Sequence, residues 1–164
     1  MASKYQTMSA LFQQTANEVT SNPVRWISFL NTASSVYKYP FSDQLMIYSQ
    51  RPNATACASL ELWNKKMHRW VNRGAKGIAL LDDSRTWPKL RYVFDIQDTH
   101  LGINGRTPFL WHMEERHHEP ILQHLIETYN LDETSYLLRD ALMEVARNSV
   151  MDNLEDYFTD FKTS

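Results

Sequence analysis

His68-Arg69-Trp70-Val71-Asn72-Arg73-Gly74-Ala75-Lys76-Gly77-Ile78-Ala79-Leu80-Leu81 is where the chain changes its period. Before it, apolar residues recur every three or four positions, as on a helix face; within it they alternate or run together, as in strands. Residues 69–72 and 78–81 read as two strands joined as a hairpin by the loop 73–77. That loop holds two of the four glycines in the chain, which predicts backbone with positive φ. Downstream, Leu90-Arg91-Tyr92-Val93-Phe94-Asp95-Ile96 reads as a third strand with Tyr92, Phe94 and Ile96 on one side. A loop follows through Gly102, Gly105 and Pro108.

Upstream the chain reads as helices. Met8, Leu11, Phe12, Thr15 and Val19 form a narrow stripe on a first helix over residues 1–22. Asn22-Pro23 is a boundary, because Asn caps well and Pro suits the first helical position. A second helix runs from Pro23 to about Val36 with Trp26, Ile27, Phe29, Leu30 and Ala33 inward, and Tyr39-Pro40 ends it. Ser42 is expected to cap a third helix to about Ser49, carrying Leu45, Met46 and Tyr48. Ser59 is expected to cap a fourth with Leu60, Leu62, Trp63 and Met67. Beyond the strands, one helix is expected from Glu119-Pro120 to Tyr129 and a second from Asp132 or Thr134 to Val150. A third follows Asp152-Asn153 and runs through Phe161. The fold class is therefore α+β: N-terminal helices on a small antiparallel sheet with a hairpin, then an acidic helical segment. The expected division is 1–110 and 111–164.

The chain has 164 residues, 43% hydrophobic and 22% charged, which places it with globular proteins rather than disordered ones. A single cysteine, Cys57, excludes an internal disulfide and fits a reducing, cytoplasmic setting. No apolar run reaches the ~18 residues of a membrane span, and the N-terminus carries no secretory apolar core. The net charge of -2 hides an asymmetry. Residues 23–110 hold 12 basic and 6 acidic residues, a net of +6; residues 111–164 hold 4 basic and 12 acidic, a net of -8. Two such surfaces suit different partners, or one docks on the other. The plain alternative is that acidic helices have solvated faces.

Catalytic signatures are missing. No HExxH, Walker loop, GxGxxG or GxSxG occurs. His112, His117, His118 and His124 are close in sequence, but Pro120 interrupts any helix through them, so they read as packed or solvated and no metal is expected. Cys57 lies between two alanines with no neighbouring base, as a small buried residue does. No cofactor is expected and no enzyme activity is assigned.

Residues 51–77 contain six basic residues and one acid, Glu61. Long cationic side chains beside a glycine-rich bend are the parts that hold phosphates. Arg51, Lys65, Lys66, Arg69, Arg73 and Lys76 are the candidate phosphate contacts. Tyr39, Tyr48 and Trp70 are candidate stacking faces for unpaired bases if exposed; the competing assignment for Trp63 and Trp70 is the core.

Across residues 30–98 the order of these features resembles the N-terminal, single-stranded-DNA-binding domain of the ArdC antirestriction proteins. The residues that carry the likeness are Tyr39-Pro40-Phe41-Ser42-Asp43-Gln44-Leu45-Met46-Ile47, Gln50-Arg51-Pro52-Asn53-Ala54-Thr55 and Trp63. Then come Arg69 to Leu81 and Val93-Phe94-Asp95-Ile96-Gln97-Asp98-Thr99. Where the family has Asn, Asp43 or Gln44 stands here, and the last motif reads Asp-Ile-Gln-Asp-Thr. The metallopeptidase half of ArdC is missing, so no proteolysis is implied. From Thr107 onward the chain looks like the continuation found in large helicase- or methylase-like proteins of conjugative elements. The resemblance implies sequence-nonspecific binding of single-stranded DNA in antirestriction or conjugation. Separately, the charge asymmetry raises the expectation that the acidic segment, residues 111–164, folds back on the basic surface and lowers affinity or competes with DNA, so that truncation near Phe109 tightens binding. The alternative is an interaction or inhibitor module whose acidic helices imitate nucleic acid toward a host nuclease or a transfer-complex protein.

Overall fold

In the computed structural model, residues 3–82, 88–131 and 137–162 are described, with side chains as far as Leu154. The chain divides into two compact units, Met1–Trp111 and His112–Ser164.

The first unit begins with three helices. α1 (Lys4–Ser21) opens on a capping box in which Ser3 Oγ accepts from the Gln6 amide and Gln6 Oε1 from the Ser3 amide. It buries Thr15 and Val19. Asn22 separates it from α2 (Pro23–Ser35), its Oδ1 accepting from the amides of Val24 and Arg25. α2 buries Phe29 and Thr32, with Ala33 beside them, but Trp26, Ile27 and Leu30 face outward, unlike the expected inner stripe. The inner face is narrower because α2 packs chiefly on α1 and α3, along one side. α3 (Phe41–Gln50) starts after Pro40, with no side-chain cap, so Ser42 is inside the helix rather than its cap. Gln44 Nε2 instead donates to the Tyr39 carbonyl.

Two clusters form the interior. Val19, Phe29, Leu45 and Tyr48 pack between the helices, with the Phe29 and Tyr48 rings edge-on at 5.7 Å. Val36, Met46, Ile47, Ala54, Ile78, Leu80 and Val93 pack between α3 and the sheet, and Phe12 touches both groups. The sheet itself consists of β1 (Cys57–Ala58), β4 (Lys89–Asp95) and β3 (Ile78–Asp82) in that order, all antiparallel. A separate ribbon pairs β2 (Arg69–Val71) with β5 (Thr99–Leu101).

Two strand expectations are corrected here. β2 and β3 are not a hairpin: β2 pairs with β5, β3 with β4, and loop 72–77 joins two different sheets. Alternation identifies strands but not partners, and β5 lies about thirty residues downstream of β2. The inward side of β4 is Val93 and Asp95, with Tyr92 and Phe94 together on the other, and the strand ends at Asp95, so Ile96 belongs to the turn that follows rather than to the strand, where it was expected. Asp95 is fully buried and still satisfied: its carboxylate accepts from the amides of Thr55, Ala56 and Gln97 at 2.7, 3.1 and 2.9 Å. Phe94 lies on the opposite side, and its carbonyl accepts from the Nε1 of buried Trp63. Gly74 takes φ +85°, as a glycine bend predicts, whereas Gly77 is needed for closeness. A Cβ there would lie 3.2 Å from the Phe94 ring and 3.3 Å from Tyr92.

In the second unit, α4 (His118–Tyr129) ends at Asn130 in the left-handed region, and α5 (Leu138–Lys162) packs back on it. Leu125, Leu131 and Ala141 form the shared core. α5 is one helix through Asp152-Asn153, where a break was expected. Asn153 Nδ2 bonds back to the Ser149 carbonyl instead of starting a turn. The expected start at Asp132 or Thr134 lies outside the described residues. Among the described residues, no helix is long and apolar enough to cross a membrane.

Candidate nucleic-acid interface

The site is built around β2. Ahead of it, Ser59 Oγ accepts from the Leu62 amide and starts a turn that widens to a π-helical turn at Leu62–Lys66, closed by the Met67 amide on the Leu62 carbonyl. This wide turn carries Lys65 and Lys66 on its last residues, both exposed. Its inner residue is Trp63, only 2% exposed, so this tryptophan belongs to the core. His68, at φ +49°, then turns the chain into the strand.

At the far end of β2, the Asn72 amide bonds the Asp98 carbonyl at 2.8 Å and loop 72–77 leads away with Arg73 and Lys76 exposed. At the near end, the Gly102 amide bonds the His68 carbonyl and the Arg106 amide bonds the Met67 carbonyl, both within 2.9 Å. Among the described residues, Lys66, Arg73, Lys76 and Arg106 have no carboxylate in ion-pair range. Lys66 and Arg73 bracket β2 within seven residues of chain, at most roughly 25 Å fully extended.

Trp70 sits between them, 49% exposed, and not in the core. Directly opposite it in the ribbon is His100, also exposed. A Cβ on Gly102 would lie 2.4 Å from Trp70 Nε1 and 2.9 Å from Cδ1, so the indole edge rests against a glycine.

Four sequence candidates do not have the exposure expected of them. Arg69 is buried, with Nε donating to Thr99 Oγ1 at 2.8 Å, because it lies on the inner side of β2. Tyr48 is buried against Phe29 and offers no free face. Tyr39 is half-buried, its hydroxyl donating to the Cys57 carbonyl at 2.8 Å. Arg51 is paired to Asp98 at 2.6 Å in a largely shielded contact. Lys65 also has a partner, Glu61 at 2.9 Å, but both groups are about 72% exposed and water screens the pair. Lys66, Arg73, Lys76 and Trp70 are therefore the candidates the fold leaves open. Sequence reasoning missed Arg106, His100 and Gly102. Their one signal was the alternation Thr99-His100-Leu101 running into two glycines three residues apart.

Away from this site, Cys57 and Asp43 are shifted by burial. Burial, with the Asp95 carboxylate 3.8 Å from Sγ, pushes the Cys57 thiol up to about 12. Burial also raises Asp43, against the pull of its ion-pair partner Arg91. Among the described residues, no three His, Cys, Asp or Glu gather as metal ligands would. Comparison with protein-family models, with curated proteins and with solved structures finds no match for this chain.

Proposed function

We propose that residues 1–110 bind single-stranded DNA without reading its sequence. One juxtaposition carries this reading: Lys66, Arg73 and Lys76, exposed and with no carboxylate within ion-pair distance among the described residues, bracket the half-exposed Trp70. Cations neutralise phosphates while an aromatic face accepts a base of any identity. Arg106, tied to the start of the same ribbon, adds a fourth positive group. The likeness to the ArdC N-terminal domain points the same way and adds the setting: a cytoplasmic module of mobile-element machinery, in antirestriction or conjugative transfer. On this reading the protein is a binding module and not an enzyme. Its one thiol stays protonated at neutral pH, as a nucleophile would not.

The test is a band-shift titration with labelled single strands at several salt concentrations. The log-log slope should be about -0.7 for each phosphate neutralised. Replacing Arg73 and Lys76 together with alanine is expected to weaken binding to every sequence and to flatten the slope by roughly one to two phosphates' worth. An unchanged affinity and slope would remove loop 72–77 from the site. No shift at all, with capture of a nuclease or transfer-complex protein by the acidic helices, would favour the inhibitor reading.

A further inference from the structure

The β2–β5 ribbon has two sides. Arg69 and Thr99 point inward and bond each other, and both are buried. The other side presents Trp70 and, in register with it, His100. Residues directly opposite in an antiparallel pair have Cβ atoms ~4.5–5.5 Å apart, so the two rings are neighbours on one surface. Neither ring is loose. His100 Nδ1 lies 2.7 Å from Asn72 Oδ1, so with the proton on that nitrogen it donates to the amide oxygen and fixes the imidazole plane. The indole of Trp70 is held by Gly102, which stands diagonally across the ribbon where any side chain would collide with Nε1.

Gly102 does not owe its place to a positive φ; Gly74 is the glycine that does. Its missing Cβ leaves room for the indole edge and for the His68 carbonyl, which a Cβ would meet at 2.9 Å, while about half of Trp70 stays in water. Other aromatics of this unit are comparably exposed, Tyr37, Phe41 and Tyr92 among them; what marks Trp70 is its setting, with the His100 ring in register beside it and Gly102 under its edge. The charge around it indicates the occupant. Lys66 and Arg106 flank one end of the ribbon and Arg73 and Lys76 the other, with the two rings between them. That arrangement suits a flat, π-faced ligand strung on a polyanion.

We infer that Trp70 and His100 form a preorganised two-ring platform for successive unpaired nucleobases, with Gly102 as the residue that seats Trp70. This rests on the single-strand reading above and specifies which part of the strand the ribbon holds. His100 and Trp70 touch the ligand; Gly102 and Asn72 are positioning residues. Rings already fixed lose little freedom on stacking, so more of the contact energy is kept as affinity.

The experiment compares two labelled strands of equal length, oligo-thymidine and its abasic counterpart, which carry the same phosphates. The full chain should prefer oligo-thymidine. Trp70→Ala should lower its affinity for that strand by about five- to a hundredfold, and His100→Ala by a smaller factor. Neither should change abasic binding or the salt slope. His100→Tyr should restore most of the preference, since stacking needs a ring and not an imidazole. Gly102→Ala should lose preference with charge untouched, and Trp70→Ala covers the case in which it misfolds. If the unmodified chain binds both strands equally, the platform is refuted while phosphate binding stands. A preference that survives both Trp70→Ala and His100→Ala also refutes it. If neither strand binds, the single-strand reading itself fails, and the platform with it.

Discussion

At the scale of single residues, Tyr39 and Cys57 make the stability of the fold fall in alkali. Burial raises the Tyr39 hydroxyl from 10 to about 12 and the Cys57 thiol from 9 to about 12. In the unfolded chain both ionise at their ordinary values, so the native state retains protons that the unfolded state releases. Their contribution to stability is whole below pH 9 and is lost as pH rises from 9 towards 12. Urea midpoints should fall across that window, and the double variant Tyr39→Phe, Cys57→Ala should show a shallower fall. The same protonation makes the native thiol slow to react. Alkylation at pH 8 is expected to be about a hundredfold or more slower in the native protein than in urea. Equal rates would mean that the thiol is not buried against Asp95.

Among the elements, Gln50 at the end of α3 performs a task normally left to a strand. Its Oε1 accepts from the Ala79 amide at 2.9 Å and its Nε2 donates to the Ala79 carbonyl at 2.8 Å. Ala79 is 3% exposed, on the edge of β3 that β4 does not cover. Gln50→Ala leaves both groups buried and unpaired, and should cost about 2–4 kcal/mol in chemical denaturation. Gln50→Glu keeps the acceptor only and should recover little. This contact shows why some of the fold was legible and some was not. Helical spacing is local, so the stripe Thr15, Val19 and the boundary Asn22-Pro23 could be read directly. Pairing is not local: nothing near Arg69 says that Thr99 will cover it, or that β5 and not β3 will lie beside β2. For the same reason the sequence counted six cations over residues 51–77 and could not tell which of them the fold would occupy. Arg51 goes to Asp98 and Arg69 to Thr99, while Arg73 and Lys76 stay open.

For the whole molecule, the charge divides much as the compact units do. Eight of the twelve acidic residues of the C-terminal segment lie within α4 and α5, in the unit His112–Ser164, and the cations around β2 belong to Met1–Trp111. A net charge of -2 for the whole chain would by itself repel nucleic acid weakly. On the proposed reading, binding depends on a local field, and local fields are strongly screened beyond about 8 Å at physiological salt. The most direct measurement is the affinity of the full chain for a labelled single strand and for the matching duplex, at two ionic strengths. The account predicts firm single-strand binding that weakens steeply with salt, and weaker duplex binding because paired bases cannot reach Trp70. Affinity indifferent to salt, or equal for strand and duplex, would contradict it.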